Sequence, residues 1–261
     1  MQLDKTLNMP VLHCQDYTSV KFAQAGRILK DSGTNNIGTT KMIQVTRQGL
    51  NFTGVEQDLD ALRREFDRRN CLLLENFLHP DVVSPLLPML RAATFRPKHH
   101  DHVGSELQME PNVALHLLSF LANDLRLFDL VQKITSCAPV GCFRGRVYQL
   151  IPDPAHILDW HDDIKVPGRL IALSLNLGTA PFRGGILQIR EVRGGRIVSE
   201  VANTGFGNAV IFKISPELEH RVTQLESDVP RISFAGWFRS DPDIRTCWRQ
   251  LRDDMAALEE A

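Results

Sequence analysis

The sequence predicts a mainly β, α+β chain: a helical N-terminal half supporting one antiparallel, double-stranded sheet roll, closed by a C-terminal helix. Three observations carry this. Apolar residues recur at helical spacing in the segments from Val55 to Ile134. After Cys142 the texture changes to short runs with a period near two, separated by Gly, Pro, Asn and Asp. The tail from Asp243 to Glu259 then returns to helical spacing through Ile244, Trp248, Leu251, Met255 and Leu258.

Residues 1–54 are read as an N-terminal extension with no assigned chemistry, including a Gly/Thr/Asn stretch from Ser32 to Thr40 that looks like a loop. In the supporting region, 55–142, Val55, Leu59, Leu62 and Phe66 mark a helix ending near Arg69, and Cys71 to Leu74 form a short strand. Ser84 followed by Pro85 resembles a helix start, with Leu86, Leu87 and Leu90 facing inward and Pro88 shortening or bending the helix. Asn112 to Phe120 and Asp124 to Ile134 read as two helices or one kinked helix, with Asn123-Asp124 as a capping break. The roll, 143–261 with its closing helix, should contain strands at Phe143–Ile151, Arg169–Leu177, Ile186–Arg190, Ile197–Val201, Ala209–Phe212, Arg221–Leu225 and Arg231–Phe238. Arg193-Gly194-Gly195-Arg196 is a hairpin turn. The three regions are expected to form one structural domain.

At 261 residues and 43% apolar, the chain can bury a sizeable core. Thirty basic residues balance 31 acidic ones, which argues against nucleic acid or an anionic membrane as partner. The five cysteines (Cys14, Cys71, Cys137, Cys142, Cys247) are odd in number and show no CxxC spacing, as suits a reducing cytoplasm. No leader and no apolar run of bilayer length is apparent, so a soluble cytoplasmic protein is expected.

Trp160-His161-Asp162-Asp163 holds the first chemical signal. Were this segment extended, His161 and Asp163 would project to one side and Asp162 to the other. A third ligand would come from another strand, and His220, opening His220-Arg221-Val222, is the natural one. Two histidines and a carboxylate form the facial set of non-haem iron(II) oxygenases, leaving positions open for co-substrate and oxygen. Eleven residues on, strand alternation puts Arg231 and Ser233 on the face that carries Ala235 and Trp237. An arginine fork beside a serine hydroxyl suits a carboxylate; the plainer alternative is a surface strand arginine paired with a nearby acid.

The ordered set His161-x-Asp163, Phe182-Arg183-Gly184-Gly185-Ile186-Leu187, His220-Arg221-Val222 and Arg231-x-Ser233 with Gly236-Trp237-Phe238 resembles the 2-oxoglutarate oxygenases of the prolyl 4-hydroxylase-like group. The resemblance spans Arg144 to Phe238. It implies a double-stranded β-helix (jelly roll, cupin-like), Fe(II) on His161, Asp163 and His220, and 2-oxoglutarate on Arg231. It further implies O2 as oxidant, ascorbate as supporting reductant, and a small-molecule or peptidyl substrate hydroxylated at an unactivated carbon with release of succinate and CO2. Tyr148 and Ser174 hold positions similar to those that touch the co-substrate in that group; Asn176 is an equal choice by alternation. Gly184-Gly185 reads as a turn letting the next strand pass close to the metal end. Two rival readings remain: a non-catalytic cupin-like metal-binding module or sensor, which would not need Arg231 and Ser233, and a hydrolase or isomerase using another metal.

The densest histidine cluster, Pro97-Lys98-His99-His100-Asp101-His102, lies in a Gly- and Pro-flanked stretch expected to be a flexible loop, which would hold ligands poorly. It is read either as a solvated loop or, from the resemblance, as a lid over the mouth of the site.

Overall fold

The computed structural model describes residues 43–154 and 156–241. Cys14, the Ser32–Thr40 loop, Cys247 and the expected C-terminal helix lie outside them.

In chain order the elements are β1 (Ile43–Thr46), β2 (Gly49–Phe52), α1 (Glu56–Arg69), β3 (Cys71–Leu74), α2 (Pro80–Arg91), β4 (Phe95–His100), β5 (Gly104–Met109), α3 (Val113–Ala122), α4 (Leu125–Thr135), β6 (Cys142–Leu150), β7 (Leu158–His161), β8 (Arg169–Asn176), β9 (Leu187–Glu191), β10 (Ile197–Val201), β11 (Ala209–Lys213), β12 (Leu218–Val222) and β13 (Arg231–Arg239). One antiparallel sheet runs β10-β9-β12-β7-β5-β6-β13-β8-β11-β3, with β4 added on β5. Neighbours distant in sequence, such as β13 between β6 and β8, give the crossed connections of a roll, and the expected double-stranded β-helix is borne out.

The helices follow local chemistry. Asn112 Oδ1 accepts the Leu115 N–H at 3.1 Å and starts α3, and Asp124 Oδ1 accepts the Arg126 N–H at 2.9 Å and starts α4, so the leucine-rich stretch is two helices. Helix α2 begins five residues before the expected Ser84-Pro85 start. His79 is its N-cap and Pro80 its first residue, while Ser84 spends its hydroxyl on the Pro80 carbonyl inside the helix. Leu86 and Leu90 are buried there and Leu87 half-buried.

Strand β13 shows how the sheet separates core from site. Phe234 and Phe238 point into the helix-facing core, meeting Phe143 at ring distances of 5.5 and 4.9 Å, and Phe238 meets Phe128 at 6.0 Å. Burying each such ring stabilises the fold by about 2–3 kcal/mol. The alternate residues Arg231, Ser233, Ala235 and Trp237 line a cavity inside the roll, as the alternation predicts.

Three sequence expectations are corrected. The region 55–142 is not only helical: besides β3, which forms at Cys71–Leu74 as expected, it contributes β4 and β5 to the sheet. The segment around Pro97–His102 is a paired hairpin, β4 against β5 in register from Phe95↔Met109 to His100↔Gly104, and β5 is stitched to both β6 and β7. Strand β12 lies earlier than Arg221–Leu225, so His220 sits within it and not before it.

Cys71, Cys137 and Cys142 take part in no disulfide among the described residues. Among the described residues no helix is long and apolar enough to cross a membrane.

Candidate active site

His161 ends β7 and is the cross-strand partner of His220 on β12, so the sheet's own register brings the two imidazoles together, with ring centroids 4.1 Å apart. Asp163 joins them: its Oδ2 lies 3.4 Å from His220 Nε2 and 3.9 Å from His161 Nε2. Among the described residues this is the one group of three His, Cys, Asp or Glu side chains whose ligand atoms lie within 4.8 Å of one another. For an octahedral ion with bonds of about 2.1 Å, adjacent ligand atoms are about 3 Å apart, so these separations fit a facial set.

Sequence reasoning found these residues by the wrong local geometry. Asp163 is not in extended chain: its φ of 62° is left-handed, in the turn after β7, and this swing returns its carboxylate toward the histidines. The carboxylate is then held on both oxygens. Oδ1 accepts from Arg169 Nη1 at 2.6 Å and Oδ2 from Trp237 Nε1 at 2.9 Å, while the Arg169 guanidinium lies 3.5 Å from the centroid of the Trp237 ring. Burial alone would raise the Asp163 pKa. The hydrogen bond to His220 and the charges of His220, His161 and Arg169 outweigh it and hold the group at about 2.

His161 Nδ1 lies 2.6 Å from the Asp159 carbonyl, which can only accept, so this nitrogen carries the proton and Nε2 presents its lone pair to the site. Burial and, after it, the charge of His220 push the His161 pKa down, favouring the neutral ring a metal needs. Arg169 was not singled out from sequence. As a basic residue opening a strand six positions after Asp163 it carries no motif, and only the turn at Asp163 brings it to the carboxylate.

A second wall of the same cavity comes from β13, β8 and β6. Arg231 is only 6% exposed. Its Nη2 donates to Ser174 Oγ at 2.9 Å and its Nη1 lies at the long limit, 3.4 Å, from Ser233 Oγ, while Nε is buried with no partner among the described residues. It makes no ion pair with any described carboxylate, so the alternative of a surface arginine paired with an acid does not hold. Burial pushes its pKa down, opposed only by the more distant charge of Glu106.

Ser174 and Tyr148 both line the cavity. Asn176, the equal choice by alternation, does not: it accepts the Gly178 N–H at 3.0 Å and donates to the Gly205 carbonyl at 3.0 Å, tying the loops after β8 and before β11. Burial, and then the charge of Glu106, raise the Tyr148 phenol to about 12. Gly184 and Gly185 have φ of 73° and 60°, and a Cβ at Gly185 would lie 3.1 Å from Arg231 Cδ. Gly185 therefore leaves room for the arginine stem, whereas a Cβ at Gly184 would run into the Gln224 carbonyl.

The cavity measures about 490 Å³, within the range that buries a small molecule. The β4–β5 hairpin forms part of its wall through Lys98, His100, Asp101, Val103 and Glu106. His99 instead meets Ser105 Oγ at 3.0 Å, and His102 sits in the hairpin turn at φ 63°.

Residues 146–239, which carry all of these groups except the hairpin, match the family model of the 2OG-Fe(II) oxygenase superfamily. No curated protein sequence matches the chain. Among solved structures, the fold is similar to a prolyl-4-hydroxylase from Pseudomonas putida, at 21% identity and a TM-score of 0.53 over 69% of this chain and 98% of that one. It is similar to the prolyl hydroxylase from Trichoplax adhaerens in complex with a hypoxia inducible factor peptide, at 13% identity and 0.51 over 72% and 94%. It is also similar to the non-haem α-ketoglutarate-dependent epimerase SnoN of nogalamycin biosynthesis, at 15% and 0.54 over 70% and 82%. The resemblance drawn from the sequence is borne out.

Proposed function

We propose, from a roll that matches the 2OG-Fe(II) oxygenase superfamily, that this chain is an Fe(II)- and 2-oxoglutarate-dependent dioxygenase hydroxylating an unactivated carbon of a small molecule or peptidyl side chain. His161, Asp163 and His220 would hold the iron. When bound, the iron supplies the redox chemistry that couples oxidative decarboxylation of 2-oxoglutarate by O2, to succinate and CO2, with oxygenation of a C–H bond.

The observation that carries this reading is Arg231: a buried guanidinium with hydroxyls for neighbours and no anion. A buried cation is costly without a counter-charge, and the distal carboxylate of 2-oxoglutarate is the counter-charge this site lacks. Ser174 fixes the Arg231 fork, and the neutral Tyr148 phenol remains a hydrogen-bond donor throughout the physiological range. Arg169 and Trp237 fix the Asp163 carboxylate and help close that side of the cavity to water. A cupin-like sensor without 2-oxoglutarate would have no use for an unpaired buried arginine.

The test is succinate formation by purified protein with Fe(II), 2-oxoglutarate and ascorbate, alongside a search of cell-extract fractions for products heavier by one oxygen. Iron-dependent succinate is expected, and its absence from iron-loaded protein would overturn the reading.

A further inference from the structure

Glu106 on β5 is the one acid among the described residues that is fully buried, at 6% exposure, and it faces the cavity. Its Oε1 lies 2.9 Å from His100 Nε2, and among the described residues no hydrogen bond engages its second oxygen. Lys98 stands directly across the β4–β5 ladder, yet it is exposed and makes no ion pair with it. The aromatic surface of Tyr148 lies beside the pair, with the His100 and Tyr148 ring centroids 6.3 Å apart in an edge-on arrangement.

On the oxygenase reading above, every other buried charge of the cavity has a partner. Asp163 has Arg169, and the net positive charge of iron with its three ligands meets the keto-acid end of 2-oxoglutarate. Arg231 meets the distal carboxylate. Glu106 is left with the more distant charge of Arg231 and with one hydrogen-bond partner, an imidazole that is itself part-exposed at 30%. A buried carboxylate held by a single hydrogen bond is costly. A carboxylate beside aromatic rings is also the setting an organic ammonium group seeks.

We infer that the substrate carries a protonated amine, and that Glu106, oriented by His100, anchors it. An ammonium N–H would donate to the Glu106 oxygen that His100 leaves free, while the apolar wall formed by Val103 and Leu158 accepts the adjoining carbons. The hairpin is thereby the specificity-determining element of the cavity, and the substrate class narrows to amines, whether a free amino compound or a lysyl-type side chain.

The probe is n-butylammonium chloride against n-butanol, two molecules of similar shape that differ in charge. Both are titrated by saturation-transfer NMR onto the full chain with Zn(II) in place of iron and saturating 2-oxoglutarate, so that nothing turns over. The ammonium is expected to saturate at a concentration at least tenfold below that of the alcohol, and Glu106→Gln to abolish this preference. His100→Gln, which keeps the carboxylate, should reduce the preference only in part, and it serves as the second variant if Glu106→Gln does not fold. Equal binding of the two probes by the wild type overturns the inference. So does a Glu106→Gln protein that keeps the preference but unfolds at a lower temperature, since Glu106 would then serve only hairpin packing. Succinate formation by the iron-loaded protein is measured separately: its absence strikes the oxygenase reading, while the amine preference is read without turnover.

Discussion

The two walls of the cavity treat charge differently. On the β7–β12 wall each group is compensated from within the protein. Asp163 receives Arg169 and Trp237, and His161 is fixed by a backbone carbonyl. On the β13–β8 wall Arg231 is buried among serine hydroxyls with no anion. A charge already paired marks a preorganised site, whereas a buried charge without a partner marks one that a ligand completes. On the proposed function, the first wall would receive a cation in fixed geometry and the second an anion that arrives with its own charge.

The largest effect should follow from breaking the first wall. Asp163→Ala or His220→Ala removes one of three ligands, and iron retained after desalting should fall by about a hundredfold or more, with succinate formation lost. Metal analysis and a succinate assay on the same preparation check this, and near-normal turnover in either variant would remove that residue from the triad. Next comes Arg231→Gln. Loss of a charge-assisted fork to a buried carboxylate costs about 2–3 kcal/mol, so half-saturation by 2-oxoglutarate should rise roughly 30- to 150-fold. Iron content should change far less. If the variant loses iron as completely as Asp163→Ala does, the two walls are one cooperative unit and the contrast between them fails.

How legible this site was depended on what each residue's signal was made of. His161, Asp163, His220 and Arg231 were readable because residue type and order are properties of the sequence, and the β13 alternation was readable because Phe234 and Phe238 flank small and polar neighbours. The left-handed turn at Asp163 was not, since an aspartate tolerates that conformation without any glycine to announce it. The β4–β5 hairpin was hidden for a different reason. Strand β4 is exposed along its middle, contains Pro97 and four basic or imidazole side chains, and shows no apolar alternation, so only its pairing partner defines it. Helix α2 was misplaced because Ser84-Pro85 imitates the very signal that His79-Pro80 gives.

Arg169 offers a finer cut at the first wall, because it touches the carboxylate without belonging to the metal group. Arg169→Gln keeps a donor of similar reach but removes the charge and the stacking on Trp237. Iron affinity should weaken by about tenfold, the usual scale for a residue that orients a ligand, with little change in half-saturation by 2-oxoglutarate. Competition against a chelator measures the first quantity and initial-rate kinetics the second. A loss confined to 2-oxoglutarate would move Arg169 from the metal wall to the co-substrate.

The smallest effect, and the most specific to the second wall, concerns Tyr148. Its phenol is pushed from 10.0 to about 12 by burial and by the charge of Glu106, so the neutral form is the one the fold prefers. Because the folded-state value is raised, the associated stability is fully present below pH 10 and is lost as pH rises from there through about 12. Tyr148→Phe removes one neutral donor from the anion wall, worth about 1 kcal/mol, and half-saturation by 2-oxoglutarate should rise by roughly fivefold. The chain has two tyrosines, so subtracting the tyrosinate absorbance titration of Tyr148→Phe from that of the wild type isolates this one group. The difference should show its midpoint about two units above an ordinary phenol, at about 12. A difference midpoint near 10 would mean that Tyr148 is solvated rather than held against the cavity, and the second wall would then consist of Arg231 and its two serines alone.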